Sequence, residues 1–134
     1  DDPLCGYQLR TRAEGWLQGF VTFTPFTTWQ TYFRWDSLDR RAGITLDDLD
    51  AHAVDEDGSL ARFLDECARA GDPDGCGVIW PRVAEITLLA GMGCGAHLLQ
   101  LALDHLAAEG AYEAVVLQAT DNAIPFYERH GFVR

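Results

Sequence analysis

Apolar positions repeat with two different periods along this chain. Over residues 7–12 and 16–24 aromatic and branched side chains are dense and alternate in the manner of strands, and Ala13-Glu14-Gly15 between them suits a turn, so the pattern predicts a hairpin. Pro25 is expected to interrupt the second strand, and the bulky residues between Trp29 and Trp35 predict a third. Leu60, Phe63, Leu64 and Cys67 fall at helical spacing, with Ser59 as cap and Gly71 as stop. The second half predicts a strand near 78–90, a helix over 95–109 ended by Gly110, a strand near 112–119 and a helix near 122–130. A helix that links two strands lets them lie parallel, with the hairpin extending the sheet antiparallel. The expected class is therefore α/β (α+β), a mixed sheet ending in a β-α-β-α unit.

Length and charge narrow this picture. The 134 residues, 48% hydrophobic, can bury one sizeable core. The chain reads as a single domain, 1–134, with 36–77 as an acidic, partly helical insertion and 78–134 as the binding core. The missing initial Met and the stop at Arg134, just after a strand begins, read as the ends of a fragment. All ten basic residues are Arg and 21 are acidic, a formal net charge of -11. That field excludes nucleic acid as a direct partner and favours cationic ligands such as basic peptides, lysine side chains or polyamines. No apolar run approaches the roughly 18 residues of a membrane span, so no membrane partner is expected. Cys5, Cys67, Cys76 and Cys94 form no C-x-x-C pair and no zinc-finger spacing, which predicts no metal and reduced thiols in an intracellular protein, cytoplasmic or nuclear. The acidic run Asp55-Glu56-Asp57-Gly58 is not a calcium loop, because Ala53 and Leu64 occupy the first and last ligand positions.

The run from Leu88 to Leu99 places Gly91, Gly93 and Gly95 after a strand and directly before an amphipathic helix. Such a loop presents backbone N–H groups, and the helix dipole adds to their attraction for a pyrophosphate. Glycines also serve tight turns and close packing, so the spacing alone leaves both readings open. A dinucleotide fingerprint is excluded: Ala96 holds the place of its third glycine, and the next strand ends in Gln118-Ala119 rather than an acid.

This stretch resembles the acetyl-CoA loop of the GNAT superfamily, whose pattern is Arg/Gln-x-x-Gly-x-Gly/Ala before a helix; Gly93-Cys94-Gly95 match it. The strand over 83–90 and the residues 95–99 look most like the nuclear histone (lysine) acetyltransferase branch. Ala90 stands where the pattern has Arg or Gln, and the residues that usually separate strand from loop are missing. The run 120–132 is similar to the family's Asn-x-x-Ala-x-x-x-Tyr motif followed by Gly-Phe, with Asn122 two residues later than the pattern places it. The resemblance covers about the last 50 residues well. It implies acetyl-CoA as co-substrate, bound by Leu88, Leu89, Ala90, Gly91, Met92, Gly93, Cys94, Gly95 and Ala96 and by Asn122, Ala123 and Phe126. It also implies that Tyr127 protonates the departing thiolate, although on spacing alone Tyr127 fits an aromatic packed beneath its helix.

Acetyl transfer to an amine needs a base for the ammonium, a donor for the carbonyl oxygen and an acid for the thiolate. Glu85 is the only acid in the apolar run 83–90 and shares a strand face with Val83, Thr87 and Leu89. A lone strand Glu is more often exposed or ion-paired; the likeness to the histone branch assigns it the base and gives the Leu89 N–H to the oxyanion. His97 and His105 read as solvated helix positions, and Cys94 is not needed as a nucleophile because direct attack forms no acyl-enzyme. The expected activity is N-acetyl transfer to a primary amine, with a basic protein or peptide among the acceptors. A catalytically silent acyl-CoA-binding module and a protein-interaction domain with an aromatic surface over 16–35 are the alternatives.

Overall fold

The N-terminal alternation folds as a hairpin. A computed structural model describes residues 5–28, 59–72 and 77–133. Strand β1 (Cys5–Arg10) pairs antiparallel with β2 (Leu17–Thr28), Tyr7 opposite Val21 and Cys5 opposite Phe23. The turn is closed by the Thr11 N–H on the Trp16 carbonyl at 2.8 Å and the Trp16 N–H on Thr11 Oγ1 at 3.0 Å, with Gly15 at φ 70°. Pro25 does not interrupt β2, which runs on to Thr28. Proline removes one donor, and Pro25 lies beyond the described β1 pairing, which ends at Phe23. The strand expected over 29–35, and the acidic run at 55–57, lie outside the described residues.

The described chain forms two compact units. The first takes in residues up to 27 together with 79–118. Its central strand is β4 (Gly77–Gly91), flanked on one side by β2 and on the other by β5 (Ala114–Leu117). β5 runs parallel to β4, from Val83 opposite Ala114 to Ile86 opposite Leu117, and helix α2 (Gly95–Glu109) makes the crossover. This is the parallel pair that the helical connection predicted. The α2 bounds match the expected 95–109, and Gly110 closes the helix in the left-handed region at φ 65°.

Leu98, Leu99, Ala102 and Leu106 of α2 fall at one, three and four residues' separation, on one helix face, and are buried. The helix lies on the face that carries Tyr7 and Phe23: the His105 ring sits 5.7 Å from Tyr7 and 5.1 Å from Phe23, and the Tyr7 hydroxyl meets His105 Nδ1 at 2.7 Å. Val21, Phe26, Trp80, Val83, Ala84 and Ile86 are further buried apolar residues of this unit. Adjacent Val83 and Ala84 point to opposite faces and both are fully buried, so the middle of β4 is covered on its two sides. Each large side chain removed from water in this way stabilises the fold by about 1.5–3 kcal/mol before ordering entropy is subtracted.

The second unit takes in the described residues between 28 and 78 and those from 119 onward. Helix α1 (Ser59–Glu66) starts at the expected Ser59 and buries Leu64. It ends before Gly71, which instead lies in a short strand, β3 (Ala70–Asp72), beside β4. Gly71 adopts φ 114°, and a side chain there would collide with the Gly77 carbonyl, so the glycine serves a close strand contact rather than a helix end. Helix α3 (Ile124–Arg129) is shorter than the expected 122–130: Pro125 fits only a first turn, and Gly131 at φ 91° follows the end.

A Cβ on Gly19 would stand 2.6 Å from the Ala90 carbonyl oxygen and 2.8 Å from Gly91 Cα, both backbone atoms. Gly19→Ala should therefore lower unfolding free energy in urea by about 1–3 kcal/mol, the range for overpacking. Equal stability of the variant would show that β2 and the end of β4 do not approach so closely.

Candidate active site

The junction between β4 and α2 is built by one carbonyl. Gln18 O, on β2, accepts the Met92 N–H at 2.9 Å and the Cys94 thiol at 3.5 Å. The Cys94 sulfur fills the space that Cβ atoms would take on Gly19, 2.8 Å away, and on Gly91, 2.9 Å away. Gly91 thus serves packing. Gly93 serves the turn: its φ is 77°, and nothing lies within 4 Å of the place a Cβ would occupy. Cys94 is turned inward to Gln18, an arrangement that suits a structural thiol rather than a nucleophile.

Cys94 is the N-cap of α2 and makes no side-chain capping bond. The first bond of the helix runs from the Leu98 N–H to the Cys94 carbonyl at 3.1 Å, so the amides of Gly95, Ala96 and His97 precede the hydrogen-bond ladder. Ala96 and His97 are exposed. An uncapped first turn of a 15-residue helix carries concentrated positive potential, and the open space around Gly93 admits an anion to it. A pyrophosphate fits this donor set. Met92 contributes no free amide, because its N–H is spent on Gln18; its side chain is 71% exposed.

Beyond Ile86 the partner strand stops while β4 continues to Gly91. Thr87, Leu88, Leu89, Ala90 and Gly91 therefore have no β5 residue opposite them, and this stretch leads straight into the glycine turn. Leu89, the expected oxyanion donor, lies within it and is half-buried, whereas Leu88 is 58% exposed.

Glu85 stands in the middle of β4, opposite Val116 of β5. Its face follows from the register. Tyr7 and Val21 are partners, and Tyr7 and Phe23 contact α2; Thr22, between Val21 and Phe23, points away from α2. The Thr22 hydroxyl meets that of Thr87 at 2.7 Å, so Thr87, and Glu85 two residues before it, share the face opposite α2. Among the described residues no donor or cation reaches the Glu85 carboxylate, and burial pushes its pKa above the ordinary range. A half-buried acid of this kind is a base that holds a proton more readily than a solvated one.

Asn122, Ala123, Phe126 and Tyr127 belong to the second unit. Asn122 is exposed in the turn before α3, and the Ala123 carbonyl accepts the Phe126 and Tyr127 N–H groups at 3.0 and 3.2 Å. Tyr127 lies edge-on to Phe126 and Phe132, ring centroids 5.1 and 5.7 Å apart, and burial raises the pKa of its phenol. It stays protonated at neutral pH, as a proton donor must. The histidines divide. His97 is exposed as expected, but His105 is not simply solvated: Tyr7 holds one ring nitrogen and Glu109 the other at 3.2 Å. His130 turns its Nδ1 to the Phe126 carbonyl at 2.8 Å. Gln18 and Thr22 were not among the expected residues; Gln18 acts through its main chain, which no side-chain pattern reveals.

These features define an α+β domain in which a glycine turn joins a strand to a helix without a side-chain cap, with a desolvated carboxylate on the same strand. The family model described as Acetyltransferase (GNAT) family matches residues 16–132, and the chain belongs to that family. GNAT domains transfer acetyl groups and use acetyl-CoA as co-substrate. No curated protein and no solved structure matches the chain. Among the described residues no helix is long and apolar enough to cross a membrane, and no three His, Cys, Asp or Glu side chains gather to hold a metal ion.

The raised pKa of Glu85 makes a stability prediction. Its folded pKa exceeds the unfolded value, so the folded state binds the extra proton, and the stability that this contributes is lost as pH rises through the window between the two. Above that window Glu85→Gln should unfold at a higher temperature than the parent, and below it the difference should vanish. A variant less stable at neutral pH would mean that the carboxylate has a favourable partner.

Proposed function

We propose that this chain moves the acetyl group of acetyl-CoA onto a primary amine by direct attack. The observation that carries the reading is the uncapped start of α2, placed directly after the strand that bears a desolvated Glu85 without a partner among the described residues. The amides of Gly93, Cys94, Gly95 and Ala96 would hold the pyrophosphate, and the β4 stretch from Leu88 to Gly91 would run beside the pantetheine. Ala90 supplies no side-chain grip, so the main chain does this work.

Acetyl-CoA supplies a thioester carbon that exchanges its sulfur for nitrogen. Glu85 takes a proton from the acceptor ammonium, which frees the nitrogen lone pair to form the N–C bond as the C–S bond breaks. The Leu89 N–H is the candidate donor to the carbonyl oxygen. Tyr127, on the strength of its motif, gives its phenolic proton to the departing sulfur and is reprotonated by the second proton that the nitrogen sheds as the amide forms, while Glu85 releases its own proton to solvent. Asn122, Ala123 and Phe126 are the matching contacts from the same motif.

The acceptor we favour is a protein lysine. The likeness of residues 83–90 and 95–99 to the histone branch supports it, and the net charge of -11 attracts cationic chains. An intracellular setting accords with the free thiols of Cys5 and Cys94.

Calorimetric titration should show acetyl-CoA binding in preference to NAD, and failure to bind at millimolar concentration would end this reading. Glu85→Gln should lower kcat by about a hundredfold or more while the acetyl-CoA affinity holds. In the parent, kcat/KM should fall as pH drops through a midpoint above the ordinary Glu value of about 4.3, because the base is then protonated, and the variant should lack that limb. Tyr127→Phe should lower kcat as well. Unchanged turnover in Glu85→Gln would remove Glu85 from the chemistry.

A further inference from the structure

Two hydroxyls stand on the sheet face that carries Glu85, and their hydrogens are already committed. Thr22 Oγ1 and Thr87 Oγ1 are 2.7 Å apart, and Thr87 Oγ1 also donates to the Thr22 carbonyl at 3.2 Å. Each hydroxyl owns one hydrogen. Both bonds form together only when Thr87 gives its hydrogen to the Thr22 carbonyl and Thr22 gives its hydrogen to Thr87 Oγ1. The pair is then left without a donor. Thr22 Oγ1 keeps two lone pairs and Thr87 Oγ1 keeps one, and among the described residues nothing else bonds to either oxygen. Thr22 is half-buried and Thr87 exposed, so both oxygens are open to a ligand. Along an extended strand Thr87 and Glu85 lie about 7 Å apart on one face, near enough for a single ligand group to reach both.

A surface with acceptors only takes groups rich in N–H and refuses carbonyls and carboxylates, which need a donor. Resting on the acetyl-transfer reading above, we propose that the Thr22–Thr87 pair is the subsite that holds the acceptor nitrogen. Thr22 Oγ1 and Thr87 Oγ1 accept two of its N–H hydrogens while the third faces Glu85. A primary ammonium has three hydrogens, and this face offers three acceptors. Once Glu85 has taken one, the two that remain keep their partners, so the neutral amine stays in place as its lone pair is freed. The pair thereby selects for a primary amine and against quaternary cations of equal charge, which field effects alone do not do.

Calorimetric titration of the CoA-saturated protein with Nα-acetyl-lysine amide, its Nε-trimethyl form and spermidine tests the assignment without relying on turnover. The trimethyl form keeps the charge and lacks every N–H. The parent protein should bind lysine amide and spermidine about tenfold more tightly than the trimethyl form, the scale of one hydrogen bond to a charged group. Thr22→Val should reduce that preference severalfold and Thr22→Ser should restore it, with acetyl-CoA affinity unchanged in both. Equal binding of the lysine and trimethyl-lysine amides by the parent, no binding of either primary amine, or an undiminished preference in Thr22→Val overturns the subsite. Failure of acetyl-CoA itself to bind would instead overturn the acetyl-transfer reading on which the subsite rests.

Discussion

The molecule turns on the carbonyl of Gln18. By accepting the Met92 amide and the Cys94 thiol it fastens the end of β4 to β2, and it takes up the thiol of the N-cap residue. The helix consequently begins with amides that, among the described residues, its N-cap side chain does not satisfy. Left alone, such an end is a modest liability of the fold, since a good N-cap is worth about 1 kcal/mol. Its retention on a turn kept open around Gly93 is intelligible if an anion takes the place of the cap. Glycines at 19 and 91 exist for the same fastening, because the sulfur occupies the volume their side chains would need.

The strand that feeds this turn is held differently along its length. Its middle is covered on both faces, with Val83 and Ala84 fully buried, and is paired with β5 as far as Ile86. Past that point the β5 pairing ends. Glu85 sits at the change, deep enough for desolvation to raise its pKa yet near the stretch that lost its neighbour. One element therefore carries both features of the proposed site: the middle of β4, paired on both sides, holds Glu85, and the stretch beyond β5, still beside β2, leads into the glycine turn. A sheet face carrying the carboxylate and the acceptor-only Thr22–Thr87 pair adds a preference for N–H donors to the same element.

Elements with strong periodicity were legible in the residues themselves. The 95–109 helix, with its buried Leu98, Leu99, Ala102 and Leu106 and its stop at Gly110, was found with its bounds intact, and the parallel strands followed from the helix that joins them. Errors came where one residue type serves several purposes. Gly71 suits a helix end in the sequence but is a strand glycine pressed against Gly77; Pro25 suits a break but lies inside β2, past the described pairing with β1. For the proposed site, the glycine loop and Glu85 stand out in the sequence because the features that suggest them are local to one stretch. The roles of Gln18, Thr22 and the His105–Tyr7 contact were not, since each joins residues far apart in the chain and depends on register or on main-chain atoms that any side chain could accompany.

The central claim is that main-chain amides at the start of α2 grip the diphosphate of the acyl carrier. Amide chemical shifts of the isotopically labelled protein, followed as CoA is added, test it most directly. The account predicts that Gly93, Cys94, Gly95 and Ala96 move furthest and saturate together, while Met92, already bonded to Gln18, moves less. Saturable binding of CoA that leaves those four amides in place would contradict it.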